Sequence, residues 1–206
     1  ARGLPLVFMG EIAALVAAAV LIHSYTDLVR GADRAVLDVH PVRPTDLVKA
    51  IARQTALGRG YLVAVGAILL APVAIRGDVV AWLGATALVF SAWLGALGVG
   101  FAVHLGGVWA ASSPRMAQVL DAMRGDNPRM QAALIYAPGV GLAVVGGALV
   151  FASIGLEAAL RGWTMGWLWL LFPPALGLLA WVRVPHLAQR HYVRASLILA
   201  EVDGQW

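Results

Sequence analysis

Few side chains in this sequence can bind a ligand or move charge. There are five histidines (His23, His40, His104, His186 and His191), one carboxylate, Glu11, inside a long apolar run, and a single lysine, Lys49, beside fourteen arginines. There is no cysteine, which excludes disulfides, thiolate metal sites and cysteine-ligated clusters. Two imidazoles facing each other in an apolar interior can ligate haem b, and one can hold a chlorophyll-type pigment, because a neutral ring nitrogen binds metals well. His104 is the deep candidate and His23 its best partner. His23 ends the first apolar run, and His186 and His191 follow the last, where histidine is comfortable without any ligand. No other metal site is expected. Glu11 sits near the middle of its run, where a charge costs about 2.5–3.5 kcal/mol on insertion scales. Three readings stay open for it: part of a substrate path, protonation in place, or pairing with another subunit. If the span begins further on, Glu11 is unremarkable. No Ser-His-Asp, paired-carboxylate or H-E-x-x-H constellation occurs, so catalysis is not expected.

The elements that must position these residues are membrane spans. Of the 206 residues, 61% are hydrophobic and 13% charged, against about 25% charged in soluble domains. Five apolar segments stand out: 4–22, 61–75, 79–111, 132–154 and 163–184. Runs of about 20 apolar residues read as transmembrane helices. The expected fold is therefore all-α, a polytopic transmembrane helical bundle of about five spans, with 1–206 as one transmembrane domain. Residues 4–22 also resemble a signal peptide, but are read as a span. The third segment is long enough for one tilted or kinked helix, or a span continuing beyond the bilayer; a hairpin lacks a polar turn. Pro173 and Pro174 are expected to break or kink the fifth helix.

Charge sets the orientation. With loop 24–60 inside, twelve basic residues fall on inner segments and only Arg2, Arg76 and Arg161 outside. By the positive-inside rule the N-terminus is outside and the C-terminus inside. This implies an integral protein of the bacterial cytoplasmic (inner) membrane. Trp82, Trp163 and Trp167 fit the outer interface, and Trp109 and Trp181 the inner one. The net charge of +4 then reflects basic loops beside anionic headgroups rather than nucleic-acid binding.

Loop 24–60 is the one sizeable extramembrane element. Pro44 and Thr45 look like a helix start, with Thr45 as cap and Asp46 at the positive helix end. Leu47, Val48, Ile51 and Ala52 make an apolar stripe beside Lys49 and Arg53. This is a short amphipathic helix leading into the second span. It either lies on lipid or docks a cytoplasmic partner.

The stretch Ala35-Val36-Leu37 to Pro41-Val42-Arg43-Pro44, then Asp46-Leu47-Val48-Lys49, resembles the first cytoplasmic loop of ABC-2-type transporter permeases. Ala111-Ser112-Ser113-Pro114 to Leu120-Asp121-Ala122-Met123-Arg124-Gly125-Asp126-Asn127-Pro128 is similar to their second inner loop. Those permeases have six spans, and this chain matches their plan from the second span onward, with 155–163 as the outer region. The resemblance implies a permease subunit of an ABC exporter, paired with a second membrane subunit or with itself. The phosphate-loop pattern G-x-x-x-x-G-K-[ST] is absent, so ATP would be hydrolysed by a separate ATPase. Asp46, Leu47, Lys49, Ile51 and Arg53 would form the coupling helix that meets it, and Glu11 would lie on the substrate path. The alternative is a haem- or pigment-binding, or purely structural, membrane anchor subunit of a redox or photosynthetic complex.

Overall fold

The computed structural model describes residues 3–30, 43–111 and 138–202, with side chains at 7–28, 43–107 and 139–190. Among the described residues every regular element is helical. In chain order these are α1 (Gly3–Arg30), α2 (Pro44–Arg59), α3 (Tyr61–Leu69), α4 (Ala71–Ile75), α5 (Val79–Ala111), α6 (Pro138–Leu160), a 3₁₀ segment (Thr164–Leu171) and α7 (Phe172–Val202). Five helical stretches are long and apolar enough to cross a membrane: Val7–Leu28, Pro44–Ile75, Val79–Gly107, Gly139–Leu160 and Thr164–Arg190. The protein is a polytopic helical membrane bundle.

The long third segment is one helix. Its 33 residues rise about 50 Å at ~1.5 Å per residue. α5 is the axis of the molecule and packs against α1, α6, α7, α3 and α4. Lipid tails are as apolar as leucine, so close backbone fit, not hydrophobicity, holds spans together. The glycines of α5 supply that fit. A Cβ on Gly95 would come within 2.7 Å of the Pro173 carbonyl oxygen, and one on Gly98 within 2.8 Å of Gly177 Cα. On the opposite side, a Cβ on Gly100 would meet Ser24 Cβ at 3.1 Å. The main core joins Val20 and Leu21 of α1, Leu88 and Val89 of α5, and Leu149 and Leu156 of α6. Large apolar side chains such as Ile68, Leu83, Leu178 and Leu179 point outward, as lipid-facing positions do.

Several boundaries differ from the sequence reading. α1 runs past residue 22 to Arg30, and α6 runs past 154 to Leu160, so much of both adjoining segments is helix rather than loop. Thr45 is not the cap of α2. Arg43 holds that position and its carbonyl accepts from Asp46 and Leu47 N–H at 2.9 and 3.1 Å. Pro44, which lacks an N–H, takes the first turn, where none is required. Thr45 thereby falls inside the helix, and its side chain is buried. Pro173 and Pro174 likewise sit in the first turn of α7. They start the α-helix after the 3₁₀ segment instead of kinking it. The internal proline is Pro185, which leaves the Trp181 carbonyl without its usual donor.

Two turns at one end are built alike. Gly77 and Gly162 have φ of 89° and 104°, the left-handed conformation that glycine tolerates best. At Gly77, Gly77 N–H bonds Ala74 O at 2.8 Å and Asp78 N–H bonds Val73 O at 3.4 Å. At Gly162, Gly162 N–H bonds Ala159 O at 3.0 Å and Trp163 N–H bonds Ala158 O at 2.9 Å. Both are Schellman endings. Asp78 then caps α5, its Oδ1 accepting from Ala81 N–H at 3.0 Å.

Candidate functional site

The most constructed polar region lies at the end of the bundle where α1, α5 and α7 finish and α2 begins. A second core forms there from Leu28 of α1, Leu47 and Val48 of α2, Phe101 and Leu105 of α5, and Val184 and Ala188 of α7. Tyr25, Ile51, Ala52, Trp181 and Leu187 pack around it. The apolar stripe of α2 therefore fills the chain's own bundle rather than lipid or a partner's surface. This divides the five residues expected to dock together. Leu47, 5% exposed, and the half-buried Ile51 face inward, so they hold the helix in place and cannot be its docking face. Asp46, Lys49 and Arg53 are exposed, together with Ala50, Gln54 and Leu57. At 3.6 residues per turn these six make one continuous outward face.

α1 fixes α2 a second time. The Thr55 hydroxyl donates to Asp27 Oδ2 at 2.8 Å, and Arg59 forms an ion pair with Asp27 Oδ1 at 3.7 Å. Sequence reasoning missed this anchor, since the partners are 28 and 32 positions apart. The available signal was one acidic residue closing an apolar span, followed by a basic loop. Gly60 has helical angles (φ −58°, ψ −27°), so α2 continues into α3 without a flexible joint. The result is a rod with an anchored foot and a polar outer face.

Glu11 is exposed and does not point into the core. It lines a cleft of about 590 Å³ between α1 and α6, with Gly10, Ala14, Gly146, Ser153 and Glu157. The cleft is open at the bundle surface. Glu157 is tied to Arg161 one turn later. Among the described residues Glu11 has no partner.

The described histidines do not converge. His104 is 1% exposed. Its Nε2 lies 3.4 Å from the Leu21 carbonyl oxygen, and its ring packs on Tyr25 with centroids 5.3 Å apart. A carbonyl only accepts, so Nε2 carries the proton in this bond and Nδ1 is left as a lone pair. Nδ1 is buried and has no partner among the described residues. Leu21 and Tyr25 share one face of α1, and His23, two positions from each, lies about half a turn away. The His23–His104 pair is thus not brought together within one chain. His186 is exposed. His40 and the side chain of His191 lie outside the described residues, as does most of the sequence resembling the two permease loops.

Interface tryptophans also do structural work. Trp82 Nε1 donates to the Ala67 carbonyl at 3.0 Å and ties α5 to α3. Trp181 meets Phe101 edge-on at 6.0 Å. The Trp109 side chain lies outside the described residues. No family model matches the chain, and neither curated proteins nor solved structures give a match.

Proposed function

We propose that this chain is the transmembrane permease subunit of an ABC-type exporter. Its ATP would be hydrolysed by a separate ATPase chain docked on the outward face of α2. One observation carries the reading: an amphipathic helix clamped by its apolar face to three spans, continuous with a fourth, and polar on its free side. Such a helix transmits a push from a soluble partner into the membrane domain without catalytic side chains of its own. Loop residues 35–49 and 111–128 support the same reading by resemblance. By the positive-inside rule the basic residues favour a cytoplasmic position for this end, with the protein in a bacterial cytoplasmic membrane. The open cleft at Glu11 suits a second membrane subunit or a second copy, because an unpaired carboxylate facing acyl chains is expensive. Substrate would pass between the two subunits.

The test uses tagged protein extracted from native membranes in detergent. An ATP-hydrolysing chain should copurify. Substituting the outer face, as Ala50→Trp with Leu57→Asp, should release it while helical content and melting stay unchanged. Absence of any ATP-binding chain, or its retention at wild-type level by this variant, overturns the proposal.

The competing reading is haem b or a chlorophyll-type pigment on His104. The lone pair on its buried Nδ1 favours it; the position of His23 does not. A Soret or chlorophyll-type absorption band in purified protein, lost in His104→Ala, would establish it instead.

A further inference from the structure

A cleft of about 520 Å³ runs between α2, α5 and α7 beside the second core. Its walls are Leu94, Leu97, Gly98 and Phe101 of α5 and Pro174, Gly177, Leu178 and Trp181 of α7. On each helix these positions cover eight residues, about 10 Å of rise. The floor is narrow because α5 and α7 touch backbone to backbone at Gly98 and Gly177. The mouth is different. It is closed on the α2 side by Lys49, Ala52 and Arg53. Lys49 and Arg53 are one turn apart, so their side chains are neighbours. Both are exposed, and neither pairs with a carboxylate among the described residues. Among the described residues no acidic side chain lines the cleft.

We propose that this cleft binds an anionic phospholipid, one acyl chain lying along α5 and α7 and the headgroup phosphate held by Lys49 and Arg53. The shape is that of an amphiphile: an apolar slot ending at two cations. The Phe101–Trp181 pair lies at the junction, the level at which aromatic rings settle between hydrocarbon and headgroups. The cations are on the end of the bundle that the charge count places in the cytoplasm, where anionic lipids are enriched. The inference shares that orientation with the proposed function but needs no ATPase. A lipid seated here touches α2, α5 and α7 at once, so it would brace α2 from its open flank.

The test is native mass spectrometry of delipidated protein with phosphatidylglycerol, phosphatidylcholine and free glycerol phosphate as probes. Phosphatidylglycerol should bind with preference over phosphatidylcholine. Lys49→Gln with Arg53→Gln should weaken it roughly thirtyfold, on the order of 1 kcal/mol per surface cation. Lys49→Arg with Arg53→Lys should restore it, and Leu178→Trp, which fills the slot from an exposed position, should also weaken it. Glycerol phosphate should neither bind nor compete. Equal binding of the two lipids, competition by glycerol phosphate, or full binding by the double glutamine variant overturns the proposal. So does a double glutamine variant that sheds a copurifying ATPase yet keeps its lipid, since the cations then serve the protein partner.

Discussion

Replacing Gly98 with alanine adds one methyl group where α5 and α7 meet. That Cβ would lie 2.8 Å from Gly177 Cα and closer still to the Gly177 carbonyl. The obstacle is backbone, so no rotamer change relieves it; the helices must separate. Separation also opens the neighbouring contact of Gly95 with Pro173, whose atoms lie as near as 2.7 Å to a Cβ at Gly95. Overpacking of this kind costs about 1–3 kcal/mol, and more where the surroundings cannot shift. The helix propensity of alanine returns at most about 1 kcal/mol. Gly147→Ala is the control, because nothing lies within 4 Å of a Cβ there. It should gain from propensity and lose nothing. The propensity gain is common to both, so the two variants should differ by the overpacking cost of about 1–3 kcal/mol, a melting difference of roughly 2–12 °C for a chain of this size. Thermal unfolding in detergent, followed by tryptophan emission, measures it. If Gly98→Ala melts with or above Gly147→Ala, the close α5–α7 contact is not part of the folded protein.

Leu47→Ala should cost about 2–5 kcal/mol because Leu47 fills the second core, whereas Gln54→Ala on the outer face should leave melting unchanged; equal effects would contradict the inward placement of the stripe. Asp27→Asn should loosen α2 by about 1–2 kcal/mol through loss of its charged tie to Thr55 and Arg59, and amide exchange should speed up in α2 but not in α6. Trp82→Phe should lower stability by about 1 kcal/mol through the lost bond to Ala67; unchanged melting would mean that the indole contributes packing alone. If a second copy covers the cleft, Glu11→Cys should form a disulfide-linked dimer in native membranes, while Ile68→Cys, exposed on α3 outside that cleft, should not.

The spans were legible because hydrocarbon tolerates few charges, and the described residues of each apolar run are helical, the second as α3 and α4 and the fifth as a 3₁₀ segment leading into α7. The single long α5 was not decided by its sequence, since its six glycines permit a kink as readily as close packing; only neighbours such as Pro173, Gly177 and Ser24 show which use they serve. In α2, periodicity identified the apolar stripe but not what covers it. A stripe of Leu47, Val48 and Ile51 reads the same against lipid, a partner or its own bundle. The Asp27 anchor depends on contacts between helices distant in sequence, which no local pattern encodes. Arg76 and Arg161, two of the three basic residues that the expected orientation leaves outside, have a local reason: each is the last residue before a Schellman glycine, where a cation favours the negative helix end.

The backbone contact between α5 and α7 has a mechanical consequence. Two helices locked through glycines have no slip plane between them, so they form one slab. The second span is the opposite case: only 11% of its most apolar window is buried. Its α3 part meets the slab through Gly66 under Val89 and the indole of Trp82, and its α2 part through Leu47 and Val48 in the second core. Movement against the slab therefore costs the fewest contacts along α3 and α4, because α2 is held by the second core and by its tie to Asp27.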